Sequence, residues 1–208
     1  MKTRQTANRA SEKTPPREAI LEAALQIIAE NTISRTRMRQ IADRAGMSQG
    51  NLHYYFPSKA ALFQSLLDDM LAMFSEERRS QLADSDLPTE RKLECFLDQM
   101  KGILLERRHL MDVYYDFWVQ GTRDPKIRRK MQGMYARYRK DIAGVVEEGV
   151  QSGAFDPTHA PLIPALLVSL MQGATLQYLM DEEAFDLDAY FDAAHTLILK
   201  LLLNREGR

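Results

Sequence analysis

The 208-residue chain is poor in the residues that carry most site chemistry. It has one cysteine, Cys95, and one tryptophan, Trp118. A single thiol excludes an internal disulfide and a zinc site built on cysteines. Set among Leu93, Phe96 and Leu97, it reads as a buried, inert thiol. The histidines His53, His109, His159 and His195 show no i,i+3 or i,i+4 spacing, so no metal site is expected. No long apolar run is uninterrupted. The strongest, Leu162 to Met180, is broken by Pro164, Ser169, Gln172, Gly173, Thr175 and Gln177, whereas a membrane span needs roughly 20 predominantly apolar residues. The basic start Met1-Lys2-Thr3-Arg4-Gln5 has no apolar core behind it, which predicts no secretory signal and a cytoplasmic protein. A Gly-rich phosphate loop, a His/carboxylate cluster and a nucleophile spaced to a base are all missing. No catalytic residue and no cofactor are therefore expected. An all-helical enzyme stays open as an alternative, because triads also assemble from distant positions.

What is present is helical. Alternation of the strand kind appears nowhere, and neither does an internal repeat. A composition of 45% hydrophobic and 27% charged residues excludes a collagen-like or disordered chain. The net charge of −1 hides an asymmetry. Residues 1–59 hold ten Lys and Arg against five Asp and Glu, and residues 60–208 hold eighteen against twenty-four. A basic first quarter on an acidic remainder points to a polyanion partner at one end.

Residues 1–13 are polar, basic and aperiodic, and read as a flexible arm whose Arg9 and Lys13 either reach a minor groove or stay solvated. Ile20, Ala23, Ala24, Ile27 and Ile28 form one stripe and predict a helix from about Pro16 to Glu30. Thr36 is the expected N-cap of a short second helix through Ala45, ended by Gly46. Ser48 is expected to cap a third through Phe56, and Ser58 a fourth running to about Leu82. Further helices are predicted over Thr89–Glu106, Leu110–Gln120, Pro125–Gly153, about 160–180 and about 187–203. The fold class is all-α with about nine helices.

The informative stretch runs from Thr36 to Leu62. Two helices of about eight residues meet at Ala45-Gly46-Met47-Ser48, the form of a helix-turn-helix. The second helix turns Leu52, Tyr55 and Phe56 inward and Gln49, Gly50, Asn51, His53 and Tyr54 outward. An unpartnered surface helix more often shows Lys, Glu and Arg there. In the major groove, such a face reads bases with its N-terminal residues. Arg35, Arg37, Arg39, Arg44 and Lys59 flank it as candidate phosphate contacts.

The run Thr36-Arg37-Met38-Arg39-Gln40-Ile41-Ala42-Asp43-Arg44-Ala45-Gly46-Met47-Ser48, continuing through Tyr54-Tyr55-Phe56 to Lys59-x-x-Leu62, resembles the N-terminal signature of the TetR family of bacterial transcriptional regulators. Arg37 stands where the family often has Thr, and His53 where Tyr is common. The resemblance implies a DNA-binding helix-turn-helix domain over 14–60, with Thr36, Arg37, Arg39, Ser48, Gln49, Gly50, Asn51, His53, Tyr54, Tyr55 and Lys59 at the double-stranded DNA. It implies a helical effector-binding and dimerisation domain over 61–208. Phe117-Trp118, Asp124-Pro125-x-x-Arg128, Tyr138-Arg139 and Gly149-x-x-x-Gly153-x-Phe155 are similar to the betaine-synthesis repressor subgroup. The expected function is a dimeric repressor released from a near-palindromic operator by a small-molecule effector.

The effector is expected near Tyr114, Phe117, Trp118, Met134, Tyr138 and Met171. The aromatic cluster on Tyr114, Tyr115, Phe117 and Trp118 reads either as pocket wall or as core. Asp112 and Asp116 either attract a cation or, with Arg108 four residues before Asp112, form a solvated ion pair. The homodimer is expected through the last two helices at Leu166, Leu170, Gly173, Leu197 and Leu201. A helical interaction protein with a vestigial helix-turn-helix is the third class.

Overall fold

The computed structural model describes residues 15–83 and 86–203; the predicted arm over 1–13 lies outside them. The chain divides into two compact units, Met1–Phe63 and Gln64–Arg208. Among the described residues there are nine α-helices and no strand.

In the first unit α1 (Pro16–Asn31), α2 (Met38–Arg44) and α3 (Gln49–Tyr55) enclose a core of Ile20, Ala24, Ile41, Ala42, Leu52 and Phe56. Local signals set these elements. Ser48 Oγ accepts the Asn51 backbone N–H at 3.1 Å and so starts α3, and Ser58 Oγ accepts that of Ala61 at 3.1 Å. Gly46 follows α2 at φ +67°, a conformation that glycine adopts without steric cost. One cap differs from the sequence expectation. Thr36 does not cap α2: it is buried, and its hydroxyl donates to the Thr32 carbonyl at 2.8 Å. The N-cap is Arg37, whose backbone N–H donates to the Gln40 side chain at 2.8 Å. Thr32 itself stands at φ 76°, ψ 157°, a region that side chains rarely enter.

Helix α4 (Lys59–Gln81) begins in the first unit and continues in the second. The second unit adds α5 (Thr89–Glu106), α6 (Arg108–Gly121), α7 (Pro125–Gln151), a 3-10 turn (Ala160–Leu162), α8 (Ile163–Met180) and α9 (Leu187–Leu203). Helix α7 packs on α5, α6 and α8, and α9 packs on α5 and α8. Phe96, Phe117, Ile142, Ile163 and Leu167 lie fully buried among them.

Two motifs of the sequence have structural explanations here. Asp124 accepts the Lys126 backbone N–H at 2.7 Å, and Arg128 Nε donates to the Gly121 carbonyl at 3.0 Å, so Asp124-Pro125-x-x-Arg128 clasps the α6–α7 turn. The Phe155 ring lies on Gly149, where a Cβ would collide with it. Ala160–Met180 is long and apolar enough to cross a membrane, which the sequence interruptions had argued against; its buried residues pack on α7 and α9.

Candidate functional site

Helix α3 has two faces because its apolar residues fall one turn apart. Leu52 and, just after the helix, Phe56 are buried, whereas Gln49, Gly50, Asn51, His53 and Tyr54 are exposed, Tyr54 by 82%. Tyr55 is half-buried and meets Tyr54 edge-on at 5.3 Å. Gln49 Nε2 and His53 Nε2 stand 3.5 Å apart on the same face. In the same unit Arg35, Arg37, Gln40 and Lys59 line an open groove of about 740 Å³. Thr36 lines it too, with its hydroxyl donated to the Thr32 carbonyl. Arg39 is exposed, 3.9 Å from Asp43. Arg44 is exposed and already paired. It forms a fork on Glu30 at 2.9 and 3.0 Å, and that hydrogen bonding holds the Glu30 carboxyl below the usual range.

The second unit encloses a cavity of about 70 Å³ walled by α4, α5, α6, α7 and α8. Its wall is mostly apolar: Leu71, Phe74, Ile103 and Val168 with Met100, Met111, Met134 and Met171. The polar groups on it are largely spent on one another. Tyr114 and Tyr135 hydroxyls are 2.8 Å apart, and Gln172 Nε2 donates to Tyr135. Tyr138 donates to Met171 Sδ at 3.6 Å. Arg78 lies 4.3 Å above the Tyr138 ring and donates twice to Asp141 Oδ2, at 2.7 and 2.9 Å. Gln99 Nε2 donates to the Phe74 carbonyl at 2.8 Å. Burial pushes the phenols of Tyr114, Tyr115 and Tyr138 well above the usual tyrosine range, so they stay neutral hydrogen-bonding groups.

Four of the six expected effector residues, Tyr114, Met134, Tyr138 and Met171, meet on this wall. The other two do not. Phe117 is fully buried in the core, and Trp118 is 45% exposed; neither lines the cavity. The aromatic run therefore splits, Tyr114 and Tyr115 to the cavity and Phe117 to the core. Arg108 pairs with Glu182 and the Leu179 carbonyl rather than with Asp112. Cys95 is half-buried, with its thiol pKa raised chiefly by burial. Among the described residues no group of three or more His, Cys, Asp or Glu side chains is arranged to hold a metal.

Two family matches bear on this geometry. Residues 20–66 match the family described as bacterial regulatory proteins, tetR family, and residues 88–203 match the BetI-type transcriptional repressor C-terminal family. The chain belongs to the TetR family.

A TetR-family chain with this head is a DNA-binding transcriptional regulator. The fatty acid metabolism regulator protein of Bacillus subtilis is 23% identical over 195 residues, 93% of this chain and 99% of that one. The repressor KstR2 of Mycolicibacterium smegmatis is 26% identical over 147 residues, 71% of each chain. Among solved structures, a protein from Saccharomonospora viridis in complex with choline superposes with a TM-score of 0.83 at 23% identity, covering 93% of this chain and 100% of that one. The regulator FadR of Bacillus subtilis in complex with stearoyl-CoA gives 0.73 at 21% identity, covering 88% and 98%. At such identities the structures share the fold.

Sequence reasoning missed several cavity residues of this TetR-family protein: Arg78, Gln99, Tyr135 and Gln172. Phe74, Ser75 and Arg78 recur at i, i+1 and i+4 along α4, a weak signal. Tyr135 and Gln172 are 37 residues apart and carried no local sign of meeting.

Proposed function

We propose that this regulator is a cytoplasmic, homodimeric repressor that a small organic effector in the α4–α8 cavity releases from a near-palindromic operator. The observation that carries the reading is the exposed α3 face. Gln49, Asn51 and Tyr54 read bases, with His53 beside them, and Gly50 lets the backbone approach. Arg37, Arg39, Tyr55 and Lys59 position the head on phosphates, and Ser48 holds the first turn in shape. Gln and Asn pair bidentately with adenine, each worth roughly 1–3 kcal/mol of discrimination.

Dimerisation is supported by what α8 and α9 leave uncovered. Leu166 and Leu197 are 40% and 50% exposed, Leu170, Gly173 and Leu201 are half-buried, and a Cβ at Gly173 would meet open space. One helix-turn-helix makes few base contacts, and two related by a two-fold axis read half-sites about one helical turn apart. An effector acts only if it binds one spacing of the heads better than the other. The ligand-bound fold neighbours, one with choline and one with stearoyl-CoA, support a small-molecule effector here.

The test is anisotropy with the DNA upstream of the protein's own gene. Asn51→Ala relaxes base preference by roughly 1–3 kcal/mol. Lys59→Ala weakens all DNA alike and reduces the salt slope by about 1. Base preference lost with Lys59→Ala and kept with Asn51→Ala would reverse the assignment. Light scattering that finds a monomer with full DNA affinity would remove the dimer.

A further inference from the structure

The charges around the cavity are of one sign. Its wall carries two charged side chains, Arg78 and Arg137, and no carboxylate. Asp141 neutralises Arg78, whose guanidinium already covers a face of Tyr138. The Tyr114 and Tyr115 rings meet each other edge-on at 5.1 Å. An organic cation would find neither a counter-charge nor an open aromatic cage there.

A second space adjoins the first. Leu71, Ser75 and Arg137 also line an open groove of about 620 Å³ between α4 and α7. Around it stand Arg79, Arg129, Lys130, Arg137 and Lys140 against Asp68 and Asp141. Lys130 pairs with Asp68 at 2.6 Å and Arg79 with Glu76 at 2.6 Å, while Asp141 serves Arg78. Arg129, Arg137 and Lys140 have no carboxylate within ion-pair distance among the described residues. Eleven residues of helix set these three cations along roughly 16 Å of α7. An apolar cavity thus opens beside a groove with excess positive charge spread over more than one phosphate's width.

Resting on the effector reading of this cavity, we infer that the ligand is an amphiphile with an apolar acyl body and a phosphorylated head, the class of the acyl-coenzyme A thioesters. The body lies among the methionines, whose unbranched side chains shift to admit it. The cavity as it stands holds roughly five water-sized spheres, so an acyl body enters only as those methionine side chains move. The head lies along α7 on Arg129, Arg137 and Lys140, which form charge-assisted hydrogen bonds to phosphate oxygens.

Calorimetry on the full chain without DNA tests this with octanoyl-CoA, octanoate, coenzyme A and choline. Octanoyl-CoA should bind at least tenfold more tightly than octanoate or coenzyme A, and less tightly as salt rises. The triple variant Arg129→Ala, Arg137→Ala, Lys140→Ala should lose tenfold or more for octanoyl-CoA and under twofold for octanoate. These side chains are exposed, so the variant is expected to keep the wild-type melting temperature. Octanoate binding as tightly as its thioester, choline binding best, no ligand binding, or an indifferent triple variant would each overturn the inference. DNA release is scored separately: octanoyl-CoA that binds as described yet leaves operator affinity unchanged upholds the ligand class and removes the effector reading.

Discussion

The exposed face of α3 and the wall of the cavity use polar groups in opposite ways. On α3, Gln49, Asn51 and His53 stand in solvent with few protein partners, so their hydrogen bonds are available to an incoming surface. In the cavity, Tyr114, Tyr135, Gln172 and Arg78 are already engaged with protein groups, and among the described residues no buried side-chain nitrogen or oxygen lacks a partner. A surface that reads another polymer keeps its donors open. A pocket that must stay folded when empty satisfies its own. Shape and net charge are then what such a pocket offers a ligand.

The two regions also differ in what holds them. Capping contacts in the head span three residues, as at Ser48 with Asn51 and Ser58 with Ala61. The head's Arg44–Glu30 pair spans fourteen residues, and the second unit is tied across thirty to sixty-three. Arg78 meets Asp141, Lys92 meets Glu148 at 2.7 Å, and Arg107 meets Glu77 at 2.9 Å. The Arg107 hydrogen bond holds the Glu77 carboxyl below its ordinary range, so that pair stabilises above the usual carboxylate pKa and stops doing so as acid protonates Glu77.

The largest effect should come from cutting one of these long ties. Arg78 is 3% exposed and Asp141 only partly covered, so Arg78→Ala strands a carboxylate that water reaches incompletely. The expected loss is about 3 kcal/mol, a fall in Tm of roughly 6–12 °C. Arg78→Met with Asp141→Leu should recover most of it, because an apolar pair needs no desolvation of charge. Calorimetric melting decides the matter. A double variant as unstable as Arg78→Ala would mean that the cation–aromatic contact with Tyr138, and not the ion pair, is what matters.

A smaller loss is expected at Gly149. A methyl group there enters the space of the Phe155 ring, and Gly149→Ala should cost about 1–3 kcal/mol by overpacking. Ala at Gly102, where a Cβ meets nothing within 4 Å, is the control and should not destabilise. Equal melting temperatures for both variants would show that Phe155 moves aside freely.

This difference in range explains what could be read in advance. Helix positions and most of the head were legible, since apolar spacing, Gly46, Ser48 and Ser58 act within a few residues. The head's exception was Thr36, whose hydroxyl goes to Thr32 at an unusual φ that no residue type announced. The cavity was half legible. Helical spacing gave the direction of Tyr114, Phe117 and Trp118 but not their height, and one turn, about 5.4 Å, separates cavity wall from core. Arg137 and Tyr135 drew no notice because their meaning depends on α4 and α8 beside them.

The smallest and most local effect should be at Ser48. Its hydroxyl accepts the Asn51 N–H, so Ser48→Ala removes one cap, worth about 1 kcal/mol. Local opening of α3 then rises roughly fivefold, visible as faster hydrogen exchange at the Asn51 amide. Exchange in α7 should not change, because no long tie has been cut. Ser48→Asp separates the cap from the DNA contact. Aspartate caps as well as serine, so protection at Asn51 should return. On the proposed docking of α3 its carboxylate faces phosphates, so operator affinity should fall below that of Ser48→Ala, most at low salt. Ser48→Asp restoring both protection and affinity would mean that Ser48 shapes the first turn of α3 and lies away from the phosphates. Faster exchange spreading into α7 on Ser48→Ala would break the contrast itself, since a three-residue contact would then be governing the unit that distant pairs hold together.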